Sequence, residues 1–195
     1  MHPSVQRIGQ RLRNRDPRLI DDPGKTRAAV AAILRCDPEL ELLLIQRARV
    51  EGDPWSGHLG FPGGKIEEAD PGERQAAERE TREELGLDLA AADYLGRLDD
   101  LTGATLPVLV SSFAYHLAGS PDLDLSQEVE EAFWVPAGVL TDAARHRRHT
   151  FHYRGGEYEH EVIDIGKGRP LLWGLTYRFT VQLLPLTGDG TAPSG

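Results

Sequence analysis

Residues 27–35 (RAAVAAILR) and 40–46 (LELLLIQ) are two apolar runs on either side of Asp37-Pro38, the pattern of two strands joined by a turn. Residues 94–98 and 107–117 predict two further strands, the second containing the long run VLVSSFAYHL. Earlier in the chain, 73–85 (ERQAAERETREEL) consists of good helix formers, with Pro71-Gly72 before it and Gly86 in the C-terminal cap position. A short strand at 132–135 leads into Pro136, which opens a helix to about residue 144. Residues 149–154 and 157–165 flank Gly155-Gly156 and read as a hairpin. A closing helix is expected over 170–184, where Leu171, Leu172, Leu175, Phe179, Leu183 and Leu184 fall near helical spacing. Val5, Ile8 and Leu12 have the same spacing and predict a short amphipathic helix at the start. Strands and helices are mixed, with too few βαβ alternations for a doubly wound sheet.

Composition narrows the function. The 195 residues suffice for one ordinary domain, expected over 1–186. Within it 1–26 is an N-terminal extension, and 187–195 (TGDGTAPSG) is a flexible tail. The longest uncharged apolar run, 28–34, is far short of the ~20 residues of a membrane helix, so no membrane segment is expected. Arg7, Arg11, Arg13, Arg15 and Arg18 precede the second acidic residue, as in a mitochondrial transit peptide, but the helical spacing favours a helix packed on the domain. A single cysteine, Cys36, excludes an internal disulfide and reads as structural; it fits a reducing compartment, and the cytoplasm is the expected one. A formal net charge of −9 argues against nucleic-acid binding through a phosphate-neutralising surface. Carboxylates that hold a divalent metal are the exception by which an acidic protein acts on phosphates.

Glu80, Glu83 and Glu84 stand at i, i+3 and i+4, so three carboxylates share one face of one helical turn. Taken alone, such a run is a solvated face partly neutralised by Arg74, Arg79 and Arg82. The apolar face of this helix is thin, however, and it follows Phe61-Pro62-Gly63-Gly64, a turn whose backbone can approach a ligand closely. Clustered carboxylates and a free loop carbonyl are the oxygen donors that a hard divalent cation takes.

Gly63-Gly64-Lys65-Ile66-Glu67 followed by Arg79-Glu80-Thr81-Arg82-Glu83-Glu84-Leu85-Gly86-Leu87 resembles the Nudix box. That box is the loop–helix–loop of hydrolases that cleave nucleoside diphosphates linked to another moiety. Thr81 occupies an aliphatic position, and Gly64 to Arg79 is one residue longer than the pattern. Either Asp70 or Glu73 then serves as the mid-box acid. The insertion is similar to the coenzyme A pyrophosphatase branch, as are Leu43-Leu44-Ile45-Gln46-Arg47-Ala48 upstream and Leu172-Trp173-Gly174 near the end. Gly52 stands where that branch carries a second arginine.

The resemblance implies an α/β fold, a Nudix-type α/β/α sandwich with a mixed sheet. It implies Mg²⁺ or Mn²⁺ held by Glu80, Glu83, Glu84 and a main-chain carbonyl near Gly63, with Arg79 pairing to an acid of the box. Glu80 and Glu128 are both candidates for the general base, while Glu130 and Glu131 read as a solvated strand edge. Arg47, Trp55, His58, Gly63 and Gly64 are the expected substrate-binding residues. Trp55 and His58 offer an aromatic platform for a base, with a tryptophan packed under the loop as the alternative. Arg47, Arg49, Arg145, Arg147 and Arg148 are the cations available to a 3′-phosphate. His146, His149 and His152 recur every third residue; a positive rim or a solvated loop suits them better than zinc. Trp134 and Trp173 are assigned to the core.

The expected partner is a small-molecule nucleotide, with a homodimer left open. Coenzyme A or a derivative is the preferred substrate. ADP-ribose, nucleotide-sugar or dinucleotide hydrolysis is the enzymatic alternative, and a nucleotide-binding sensor the non-enzymatic one.

Overall fold

The central strand is the long alanine-rich run. In the computed structural model, which describes residues 2–52, 55–104, 106–153 and 156–187, it is β1 (Thr26–Cys36). On one side β1 runs antiparallel to β2 (Leu40–Arg47), with Leu34 opposite Leu42. On the other it runs parallel to β7 (Val108–His116), from Thr26 opposite Val108 to Leu34 opposite His116. The sheet is therefore mixed. It is extended by β3 (Leu59–Gly60) and β8 (Val129–Pro136) on β2, by β4 (Gly63–Lys65) on β1, and by β5 (Asp93–Arg97) and β6 (Leu101–Thr102) on β7.

Both faces are covered, which is why β7 is buried at every position. Ala29, Ala31 and Ile33 of β1 face α2 (Glu73–Leu85), whose Ala76, Ala77 and Leu85 meet them together with Leu43, Ile45, Phe113 and Tyr115. Alanine on both sides of this contact lets a helix with a thin apolar face come close enough to bury it. The other face carries Ala32, Leu34, Leu42, Leu44, Val110 and Ala114 against α1 (Pro3–Arg13) and α4 (Gly174–Leu183). After α3 (Ala137–Thr141), a second antiparallel sheet contains β9 (His146–Tyr153), β10 (Gly156–Ile163) and β11 (Leu172–Trp173), in the order β11-β10-β9.

Several expectations change. The closing helix begins at Gly174 rather than near residue 170, because Leu172 and Trp173 pair with Ile163 and Val162 as a strand. Strand β8 starts three residues before the predicted one, and β9 likewise starts at His146, which places the histidine-rich stretch in a strand. The expected loop before Gly64 contains β3 and part of β4. Trp173 is half-buried among other rings rather than in the core, while Trp134 packs against the core from its margin, half-buried, with the Arg35 guanidinium 4.2 Å over its ring. Part of the predicted hairpin turn (Gly155) and the tail beyond Thr187 lie outside the described residues.

Helix α1 buries Val5, Ile8 and Leu12, and is pinned through Arg7 Nε to the Thr187 carbonyl at 2.7 Å and Arg11 Nη1 to the Pro185 carbonyl at 2.7 Å. Among the described residues no helix is long and apolar enough to cross a membrane. Since the Ile8 side chain is fully buried, Ile8→Ala should cost about 2–5 kcal/mol of unfolding free energy, measured by urea denaturation. A loss within about 0.5 kcal/mol would show that α1 is not part of the packed core.

Candidate functional site

Helix α2 places Glu80, Glu83 and Glu84 on one turn beside the glycine loop, and each carboxylate meets a different environment. Glu84 is buried, 3% exposed. One of its oxygens accepts the Gly63 N–H at 2.8 Å, and the other lies 3.7 Å from Arg47 Nη1. Burial pushes its pKa up to about 7; the Gly63 N–H and Arg47 oppose the rise, and the charges of Glu80 and Glu128 add to it. Glu80 is also raised, chiefly by burial, against the pull of Arg79. Glu83 is largely exposed and accepts from Arg79 Nη1 at 2.9 Å.

The loop's glycines are set by these neighbours. A Cβ on Gly63, at φ +146°, would lie 2.3 Å from the Ala29 carbonyl oxygen and 2.6 Å from Val30 Cα. A Cβ on Gly64 would lie 2.5 Å from the Glu80 carboxyl carbon. The loop thus runs flat between β1 and the acidic face of α2, which brings its backbone to the carboxylates.

Arg79 ties the assembly together. Its Nε and Nη2 donate to the two oxygens of Asp70, both at 2.9 Å, and Nη2 also reaches the Lys65 carbonyl at 3.1 Å. Its Nη1 donates to Glu80 and Glu83, both at 2.9 Å. These hydrogen bonds hold the Asp70 carboxyl below the usual range. Of the two candidates for the mid-box acid, it is therefore Asp70 that pairs with Arg79. Glu73 points elsewhere, bridged by Arg27 and by Arg97 at 2.5 Å. Thr81, the departure from an aliphatic position, is fully buried at no polar cost because its hydroxyl donates to the Ala77 carbonyl at 2.7 Å.

Glu128 also comes to this place. It lies outside the helix, in the turn before β8, where its carbonyl accepts the Ala48 N–H at 2.8 Å; its charge acts on both Glu80 and Glu84. Glu131 is not a bare edge residue, since it pairs with Arg169, which lies 3.5 Å over the Phe133 ring. Glu130 takes Gln46 Nε2 at 3.3 Å and faces Arg49 at 3.9 Å. Arg47 is engaged with Glu84 rather than set out in solvent. Trp55 is exposed in the loop before β3, where its carbonyl accepts the His58 N–H at 3.1 Å, and His58 packs edge-on against Trp173.

Glu80, Glu83 and Glu84, with the loop carbonyls, are oxygen donors of the type that a hard divalent cation takes. Burial is the main cause that pushes the Glu84 pKa up, and a bound cation would favour its charged form. Among the described residues no three acidic or histidine side chains already converge on one centre, because Glu80 and Glu83 turn to Arg79 and Glu84 to Gly63.

Since Asp70 titrates below its ordinary range when folded, its stabilising contribution is complete above pH about 4, its unfolded value. It is lost as pH falls through the lower folded value. Asp70→Asn should therefore cost about 2 kcal/mol at pH 7, a gap constant from pH 8 to 5 that closes below pH 4 in denaturant titrations. A gap that widens on acidification would refute the assignment.

Comparison with known proteins places this geometry. A family model described as NUDIX domain matches residues 25–154. The human mitochondrial coenzyme A diphosphatase NUDT8 is 31% identical over 188 residues, covering 84% of this chain and 76% of that one. The Nudix hydrolase NudL of Yersinia pestis (strain Pestoides F), itself uncharacterized, is 30% identical over 158 residues, covering 77% and 74%. The uncharacterized Schizosaccharomyces pombe protein C14C4.10c is 35% identical over 149 residues, 64% of this chain, which spans only 45% of that relative's length. In fold, the MutT/nudix family protein of Enterococcus faecalis matches with a TM-score of 0.59 at 16% identity, over 95% of this chain and 69% of that one. The matched segment contains both the glycine loop and the acidic helix, and the chain belongs to the NUDIX family.

Proposed function

We propose that this chain is a metal-dependent pyrophosphatase that hydrolyses the diphosphate bond of a nucleoside diphosphate linked to another moiety. The observation that carries the reading is the crowd of carboxylates beside the glycine loop, with Glu84 buried and held by the Gly63 N–H at 2.8 Å. Glu80, Glu83, Glu84 and the Gly63 carbonyl are the ligands for Mg²⁺ or Mn²⁺. When bound, such an ion offsets phosphate charge and lowers the pKa of water.

The chain's own residues do the rest. Gly63 N–H fixes the Glu84 carboxylate, and Arg79 holds the loop of Lys65 and Asp70 against the helix, so the donors stay in place. Arg47 lends positive charge beside Glu84 where the diphosphate arrives. Glu128, reaching the cluster from a separate turn, is the general base in this reading, which leaves Glu80 to the metal. Coenzyme A is the preferred substrate, supported by the likeness to the human coenzyme A diphosphatase. ADP-ribose, nucleotide sugars and dinucleotides are the rivals that a substrate panel separates. Of the cations expected to meet a 3′-phosphate, Arg145, Arg147 and Arg148 lie next to Asp142, Asp164 and Glu159, while Arg49 is the most exposed and sits by Glu130. Named relatives are mitochondrial and chloroplastic, so family membership does not single out the cytoplasm.

Glu83→Gln and Glu84→Gln should each lower kcat by about 100-fold or more at saturating Mg²⁺. Unfolding free energy should stay within about 0.5 kcal/mol for exposed Glu83 and hold or rise for Glu84, whose buried charge is removed. Wild-type turnover in either variant would remove that residue from the metal site. With coenzyme A the products should be 3′,5′-ADP and 4′-phosphopantetheine. Arg49→Ala should reduce the preference for coenzyme A over dephospho-coenzyme A about tenfold. Equal efficiency on both substrates in the wild type would show that nothing reads the 3′-phosphate.

A further inference from the structure

The second sheet carries a concentration of rings that the acidic helix does not use. Its register sets His149 opposite His160, Phe151 opposite Tyr158, and Val162 opposite Trp173. Side chains alternate across a strand, so His149, Phe151, Tyr158, His160 and Trp173 share one face. The alternate positions form a different surface, where Arg148 pairs with Glu159 at 2.9 Å and Thr150 and His152 are exposed. On the aromatic face Phe151 stacks on Trp173 with centroids 4.3 Å apart and planes 23° from parallel. His160 lies 4.9 Å from Trp173, and His58, just before β3, meets Trp173 edge-on at 5.0 Å. His58, Phe151, His160 and Trp173 are all half-buried, so the cluster is not part of the closed core.

Its place is tied to the carboxylates. The His58 carbonyl accepts the Arg47 N–H at 3.0 Å, and the Arg47 guanidinium lies 3.7 Å from Glu84. Downstream of His58 the chain runs through β3 directly into Phe61, Pro62 and Gly63. The rings therefore begin one strand pairing away from the acidic site. Half-buried aromatic rings suit a flat heteroaromatic ring, which packs with them in offset or edge geometry. Imidazoles add donors and acceptors for the polar edge of such a ring, which an alkyl arm would not use.

We propose that His58, Phe151, His160 and Trp173 seat the nucleobase of the substrate, with the Phe151–Trp173 stack as its platform. The proposal rests on the pyrophosphatase reading of the acidic site and adds the group that confers recognition.

The test titrates ADP and, separately, inorganic pyrophosphate into the full chain with Mg²⁺ while tryptophan fluorescence is recorded. ADP should quench saturably and pyrophosphate should not. Trp173→Phe should remove most of the ADP quench, whereas Trp134→Phe should keep it. In steady-state assays with the best diphosphate substrate, Phe151→Leu should raise KM about tenfold with kcat within about twofold. An ADP quench that survives Trp173→Phe, an equal quench by pyrophosphate, or a wild-type KM in Phe151→Leu overturns the proposal. If Trp173→Phe fails to fold by circular dichroism, the Phe151→Leu KM decides. A wild type that hydrolyses no diphosphate would sink the pyrophosphatase reading, while the ADP quench, which needs no turnover, would still report on the base site.

Discussion

One guanidinium organises the acidic site. Arg79 joins Asp70 and the Lys65 carbonyl on the loop side to Glu80 and Glu83 on the helix side, five hydrogen bonds from a single planar group. A lysine could not span these positions, because its ammonium is a point charge without the fork. Carboxylates at i, i+3 and i+4 repel one another and weaken the helix that carries them. Arg79 offsets that repulsion and at the same time clamps the loop, so the residues from Gly63 to Asp70 and the acidic turn of α2 hold a fixed relation. The Gly63 N–H can then meet Glu84, and the flat path of the loop against β1 becomes a consequence rather than an independent requirement.

The sheet supplies what the clamp cannot. Helix α2 has little apolar surface to spend on docking, and the small residues of β1 make that little sufficient, with Ala29 and Ala31 against Ala76 and Ala77. Burial of Glu84 on this platform raises its pKa, and the carboxylates of Glu80 and Glu83 on the same turn give the oxygen donors on which a cation is proposed there. On the opposite face α1, α4 and the second sheet close the larger core and bring a second group of rings beside β3.

Much of this was legible in the chain. Helix α2 was read to its exact ends, because Gly72 and Gly86 mark them and the interior is made of strong helix formers. The spacing of Glu80, Glu83 and Glu84 gave the shared face. What local pattern did not reveal depended on tertiary neighbours. Spacing from Gly64 favours Asp70 over Glu73 but leaves both open, and only the fold separates them, Arg79 taking Asp70 and Arg27 and Arg97 taking Glu73. Leu172 and Trp173 looked helical because two apolar residues fit either period, and only their pairing with β10 made them a strand. The sequence places Trp173 in the core, but a large apolar side chain alone does not say how far it is buried, and here it is half-buried. The alternation of Phe151 with its exposed neighbours was a signal that could have located the aromatic face.

The account stands on a divalent cation held by the acidic turn of α2, and Mn²⁺ binding tests this without any substrate. Titration of Mn²⁺ into the protein, followed by loss of the free-ion electron paramagnetic resonance signal, should show a saturable site in the wild type. The Glu80→Gln/Glu83→Gln double variant, with unchanged circular dichroism, should bind at least about tenfold more weakly. Wild-type protein that leaves the free-ion signal untouched, or a double variant with undiminished affinity, would contradict it.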